Sequence, residues 1–165
     1  MARRSTPGSN PVQVSLGCEV LTSYAGTTSA SPDRVWRVVA NGWLFAQWAI
    51  GAVKVCRVDD DWPSAGSSLD HAFGHGRFVL RSETRVLAST PGELLRVRTD
   101  GWPTGGSELT VTLESGPSGT ILLVDELAVA GPDHVLPPAV HTMLLQWRNT
   151  QLVRGLALLA EGSQT

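Results

Sequence analysis

The chain has 165 residues, enough for one domain that buries roughly 70 % of the surface its unfolded form would expose. It is 42 % hydrophobic and 17 % charged with a net charge of -2, a soluble globular composition that excludes a strongly basic nucleic-acid binder. No stretch approaches the roughly 18 consecutive apolar residues of a membrane span.

Arg3 and Arg4 resemble the start of an export signal, but Ser5 to Pro11 follows in place of an apolar segment. The expectation is a cytoplasmic protein with a flexible tail over 1–11 and a single domain over 12–161. Val12 to Tyr24 reads as a first strand with a weak point at Gly17. Ser31-Pro32-Asp33 then announces a helix: a capping hydroxyl, a proline suited to the first helical position and an early acid stand ahead of Val35, Trp36 and Val39. Asn41-Gly42 interrupts it, and Trp43 to Trp48 reads as a second short helix that stops near Gly51.

From Lys54 to Ala130 strands and turns repeat, with breaks at 59–66, 74–76, 90–92, 101–106 and 115–119, which predicts six strands in a meander. Alternation sets their faces. Phe78, Leu80, Ser82, Thr84 and Val86 oppose Val79, Arg81, Glu83, Arg85 and Leu87, so the charged set is expected to face water. Leu109, Val111 and Leu113 likewise oppose Glu108, Thr110, Thr112 and Glu114. The apolar face needs a cover, and Ala139 to Glu161 supplies it: Leu145, Leu152, Leu156 and Leu159 recur at helical spacing with Asn149 on the same stripe. The sum is an α+β domain in which a curved antiparallel sheet of about seven strands wraps a long C-terminal helix.

That order of elements resembles the START-like or SRPBCC superfamily, the helix-grip fold. Ser31-Pro32-Asp33-x-Val35-Trp36, Trp48 followed by Gly51, Asp61-Trp62-Pro63-x-x-Gly66, Gly119-Thr120 ahead of Glu126, and Arg148-Asn149 followed by Leu152 and Leu156 carry the resemblance. It implies a cavity between sheet and long helix that holds a hydrophobic or aromatic small molecule. The same cavity serves carriers, sensors and enzymes. Binding of such a molecule is the leading expectation, with a polyketide cyclase or aromatase-like enzyme and a protein-interaction module of the chaperone-activator type as alternatives. The chain is expected to be a monomer or homodimer, with no cofactor and no nucleic-acid partner.

Strand parity nominates two groups for chemistry. Glu126 shares its parity with Leu122 and Val124, which would point a carboxylate into an apolar interior where it could act as acid or base or anchor a ligand hydroxyl; Asp125 is the rival, and Arg148 a candidate partner. His71 alternates with Leu69 and Phe73 and is expected to face inward, where an imidazole could shuttle protons or hydrogen-bond a ligand. Each has a plain structural alternative, a paired carboxylate or a satisfied core histidine. The expected cavity lining is Leu69 and Phe73, then Phe78, Leu80 and Thr84, then Val97, Val111 and Leu113, then Leu122 and Val124, closed by Leu145, Arg148 and Leu152 of the last helix.

Other groups carry less. His75 sits in a Gly74-His75-Gly76 turn and would share a face with His71 only on a helix, so no metal site is expected. His134 and His141 belong to the loop and first turn before and within the long helix. Asp59, Asp60 and Asp61 read as turn formers ahead of Trp62-Pro63. Trp36, Trp43 and Trp48 fit either a core or a pocket wall, and Asn149 either a ligand contact or a tie from the last helix to the short-helix pair. Cys18 and Cys56 are expected to be buried thiols. Hydrolase-triad, phosphate-loop and dinucleotide motifs do not occur.

Overall fold

The computed structural model describes residues 13–16, 19–75, 78–101, 105–129 and 138–162, with the backbone alone at 13–16, 19–20, 75, 78, 101, 105, 128–129, 138–142 and 145. The chain runs β1 (Gln13–Leu16), β2 (Glu19–Thr28), α1 (Pro32–Val39), a 3-10 turn (Gly42–Leu44), α2 (Phe45–Trp48), β3 (Ala52–Val58), β4 (Ser68–His75), β5 (Phe78–Thr90), β6 (Leu94–Gly101), β7 (Gly105–Gly116), β8 (Gly119–Val129) and α3 (Pro138–Gly162). The predicted meander from Lys54 onward is β3 to β8. The stretch read as one first strand is two, since β1 folds back antiparallel on β2 with Leu16 opposite Glu19, and this split brings the sheet of about seven strands to eight among the described residues.

All eight strands form one antiparallel sheet in the order β1-β2-β8-β7-β6-β5-β4-β3. Among the described residues only the β2–β8 pairing joins strands distant in sequence, with Thr22 opposite Glu126 and Tyr24 opposite Val124. The outer face is charged as alternation requires. Arg57 bonds Asp70 at 2.9 Å, Arg85 bonds Glu83 at 2.7 Å, Arg98 bonds Asp100 at 3.0 Å, and Arg96 pairs with Glu108. Cys56 lies on this side of the edge strand β3 and is exposed, because its neighbour Val55 takes the inward position; the expectation of a buried thiol fails there, and Cys18 lies outside the described residues.

The inner face receives the helices. Pro32 occupies the start of α1 as predicted, but the Ser31 side chain makes no capping bond; its backbone oxygen instead accepts from Arg34 and Val35. The Asn41 side chain caps the next turn by accepting from the Trp43 amide at 3.1 Å. Helix α3 presents Leu152, Val153, Leu156 and Ala160 to β2, β8, α1 and α2. It lies close to α2 because position 155 is glycine: a Cβ there would sit 3.2 Å from the Trp48 Cα.

At the far end of α3, Glu161 accepts from the Thr28 hydroxyl, the Ser29 amide and the Ser29 hydroxyl at 2.7, 3.0 and 3.1 Å, locking the helix terminus to the end of β2. Gly119 fits beneath this junction with φ +143, where a Cβ would stand 2.1 Å from the Thr28 oxygen. The acidic turn is braced in the same manner, with Asp59 accepting from the Ser68 amide and hydroxyl at 2.8 and 3.0 Å. Among the described residues no group of acids, histidines and cysteines is placed to hold a metal ion, and no helix is long and apolar enough to cross a membrane.

Candidate functional site

Burial along the inner face grades from one end of the sheet to the other. Next to the β7–β8 turn and the C-terminal half of α3, the inward side chains of Leu95, Leu113, Leu122 and Val124 are fully enclosed and form the hydrophobic core with Val35, Val39 and Leu156. Toward the opposite end, where the β4–β5 and β6–β7 hairpins turn, inward positions regain contact with solvent. Phe73, Thr99, Ser107 and Leu109 are half-buried, and Leu80 is 42 % exposed. One end of the sheet-helix sandwich is therefore packed and the other is open.

The open half carries the polar groups. Glu126 is 2 % exposed and its Oε1 receives the Arg148 guanidinium at 3.0 Å, a pairing between β8 and the middle of α3. Of the two carboxylates that parity left open, Glu126 is the inward one, and Arg148, the candidate partner, meets it. The rival Asp125 faces the other way and accepts from the Ser23 hydroxyl at 2.5 Å. One helical position on, Asn149 donates from Nδ2 to the Thr22 hydroxyl at 3.1 Å while its Oδ1, fully buried, has no hydrogen-bond partner. The tie expected from Asn149 thus runs to the sheet through Thr22, not to the short-helix pair. Thr22 and Glu126 are cross-strand partners, which is why adjacent residues of α3 meet them together.

His71 is 2 % exposed and points inward as alternation required. Its Nε2 bonds the Thr84 hydroxyl at 3.0 Å, Thr84 bonds the Thr99 hydroxyl at 2.7 Å, and Nδ1 has no partner of hydrogen-bonding geometry. Its ring lies 5.2 Å from that of Phe45, which in turn stands edge-on to Trp48 at 4.9 Å. Burial lowers the His71 imidazole below its ordinary range, the Ala72 backbone and the Asp70 charge opposing, so the ring is neutral at pH 7. Trp48 is core, with its indole N–H also unpartnered, whereas Trp43 is 59 % exposed and Trp36 half-buried.

His71 and Glu126 are not neighbours. Strands β5, β6 and β7 stand between β4 and β8, about 19 Å along the sheet at 4.7–4.9 Å per strand. A polar row joins them nonetheless. Thr84, Thr99 and Ser107 are opposite one another on β5, β6 and β7, and Ser107 is the diagonal neighbour of Glu126 across β7 and β8, roughly 7–8 Å away. Thr99 and Ser107 were not among the expected site residues, because their signal lies in which hydroxyls fall on one row, a matter of register. Leu69, Thr84, Val97, Val111, Leu113, Leu122, Val124 and Leu152 are buried on the inner face or against it. The side chains of Phe78, Leu145, His75 and His141 and the whole of His134 lie outside the described residues.

The model of the Activator of Hsp90 ATPase homolog 1-like protein family matches residues 29–143. No curated protein matches the chain. Among solved structures, a protein of Chromobacterium violaceum is similar at 22 % identity and TM-score 0.65, over 86 % of this chain and 97 % of that one. A Staphylococcus aureus protein of unknown function is similar at 12 % identity and TM-score 0.71, over 88 % and 95 %. The di-domain ARO/CYC StfQ from the steffimycin biosynthetic pathway is similar at 9 % identity and TM-score 0.70, where 88 % of this chain covers 51 % of that one. At these identities the likeness is one of fold, and it is the helix-grip fold of the START-like superfamily.

Proposed function

This chain belongs to the Activator of Hsp90 ATPase homolog 1-like family, and from that premise we propose that it binds a mostly apolar small molecule against the open half of its inner sheet face. The observation that carries the reading is the gradient of burial: inward-facing Leu80, Thr99, Ser107 and Leu109 keep solvent contact while the same face is sealed at the other end. A face that is apolar, concave and served by a few placed polar groups is the usual make-up of a small-molecule site. Arg148, 37 % exposed beside the enclosed Glu126, puts charge at its margin. We read residues 12–161 as one cytoplasmic domain acting as carrier or sensor. The separation of His71 from Glu126 argues against their working as a two-residue acid-base pair on one small substrate, which disfavours a cyclase-like enzyme.

Native mass spectrometry of the gently purified protein should show a bound small molecule, and the fluorescent probe 8-anilinonaphthalene-1-sulfonate should bind and be displaced by the extracted compound. A protein that carries nothing and does not bind the probe overturns the reading. The interaction-module alternative rests on another observation, the outward stripe of Met143, Trp147 and Leu158 on α3, at 61, 56 and 71 % exposure. Substituting Glu126 and His71 separately with Gln distinguishes carrier from enzyme once the ligand is in hand: a carrier loses affinity with the ligand unaltered.

A further inference from the structure

The outer face of α3 lacks what a solvent-facing helix surface ordinarily carries. From Pro138 to Ala160 the helix contains no acid, and its arginines are Arg148 and Arg154. Arg148 turns to Glu126, whereas Arg154 is exposed and has no ion pair among the described residues. Met143, Trp147 and Leu158 are each more than half exposed. A helix that is apolar on both faces is normally buried on both, and here β2, β8, α1 and α2 cover one only.

The stripe reads the same in either direction. At 100° per residue Met143, Trp147, Arg154 and Leu158 fall within about 60° of arc, along roughly 22 Å of helix. The two pairs share a midpoint between Thr150 and Gln151: Trp147 lies as far before it as Arg154 lies beyond it, and Met143 as far before as Leu158 beyond. A second α3 laid antiparallel across this midpoint therefore sets Met143 against the partner's Leu158 and Trp147 against the partner's Arg154, each twice, as a two-fold axis requires. Both contacts are favourable: a thioether meets an aliphatic side chain, and a guanidinium meets the face of an indole. The two Arg154 positions then stand about 10 Å apart along the axes, about one screening length at 0.1 M salt. Thr150, at the centre, donates its hydroxyl to the Gln146 carbonyl at 2.8 Å and so brings no unmet donor to the contact.

We propose that this face of α3 is a homodimer interface, two copies packing antiparallel about a two-fold axis that passes between Thr150 and Gln151. It is separate from ligand binding, which uses the opposite side of the helix and the sheet. A helix contact of about four turns is small beside the roughly 800 Å² per partner of a standard interface, so the dimer is weak and reversible, with a dissociation constant on the order of 10 µM.

Sedimentation velocity of the full chain across roughly 1–300 µM tests it, because association by mass action depends on concentration. Wild type should pass from monomer to dimer. Trp147→Lys, which replaces the ring with a second cation facing Arg154, should weaken association at least about tenfold. Met143→Lys and Leu158→Glu should each weaken it alone. The double variant carrying both should associate at least about threefold more tightly than either, because the new charges meet only across the two-fold axis; within one chain they lie roughly 22 Å apart. These side chains stand in water, so the melting temperature of every variant at monomeric concentration should be that of wild type. A chain that stays monomeric throughout overturns the proposal and leaves the stripe to a different protein or a lipid surface. Dimerisation untouched by Trp147→Lys overturns it as well, since the interface then lies elsewhere, and a double variant no tighter than its parents overturns the antiparallel pairing. None of these results bears on binding at the inner face.

Discussion

At the scale of single residues, the inner face is decided by what each buried polar group finds opposite it. Glu126 finds Arg148, a contact between an enclosed carboxylate and a cation that still reaches water; such a pair orients the middle of α3 more than it stabilises the fold. His71 finds the Thr84 hydroxyl at Nε2 and the Ala72 backbone beside its ring. Its lowered proton affinity has a thermodynamic consequence. The unfolded chain protonates this ring near the ordinary value of 6.5 and the folded chain only at lower pH, so folding stability from this group is fully present above 6.5 and declines as pH falls below it toward the folded value. Urea melts between pH 7.5 and 5 should show this decline, and His71→Gln, which keeps a polar group but cannot titrate, should flatten it. An unchanged slope in the variant would mean that other groups cause the acid sensitivity.

At the scale of elements, the sheet is local except at one seam. The β3 to β8 meander pairs each strand with its neighbour in sequence, and β2 closes on β8 to bring the N-terminal strands beside the last one. The junction is clamped by Glu161, whose carboxylate is held below its ordinary value of 4.5 by the Thr28 hydroxyl first, then by the Ser29 amide and hydroxyl, with desolvation opposing. A depressed carboxyl contributes stability above its unfolded value that is lost as pH falls through its folded one. Glu161→Gln should therefore be less stable than wild type near neutrality, and the gap should narrow below about pH 4.5, as melting temperatures across an acid series would record. A constant gap at every pH would indicate lost packing, not lost charge.

At the scale of the whole molecule, one face performs two tasks. Its enclosed half, with Leu122 and Leu156 at 0 % exposure, holds the domain together, and its open half holds the polar row and the solvent-accessible apolar positions. The two halves should separate in mutagenesis. Leu122→Ala is expected to cost about 3 kcal/mol of unfolding free energy with a cavity left behind, and Leu80→Ala under about 1 kcal/mol because its side chain is already largely in water. Equilibrium denaturation measures both, and probe affinity should move in the reverse order, falling for Leu80→Ala and holding for Leu122→Ala in whatever fraction is folded. Comparable stability losses at the two sites would show that the open half is core as well.

The order of elements, the extent of the meander and the inward parity of His71 were determined by the sequence alone, because hydrophobic alternation and helix punctuation are properties of neighbouring residues, whereas Glu126 and Asp125 stayed rivals because both faces of their strand are largely apolar. Even Arg148 was legible, as the cation on the helix that had to cover that face. The break of the first stretch into β1 and β2 was marked by its weak point near Gly17 but not resolved, since a strand and a tight hairpin share composition. What only the tertiary structure decided is register and depth. Parity says that Thr84, Thr99 and Ser107 point inward; that they fall on a single row, that Asn149 reaches Thr22 and that Leu80 and Thr99 remain open while Leu122 does not follow from how strands align and where α3 crosses them. Those alignments are set by contacts between residues far apart in the chain, for which a local pattern holds no record.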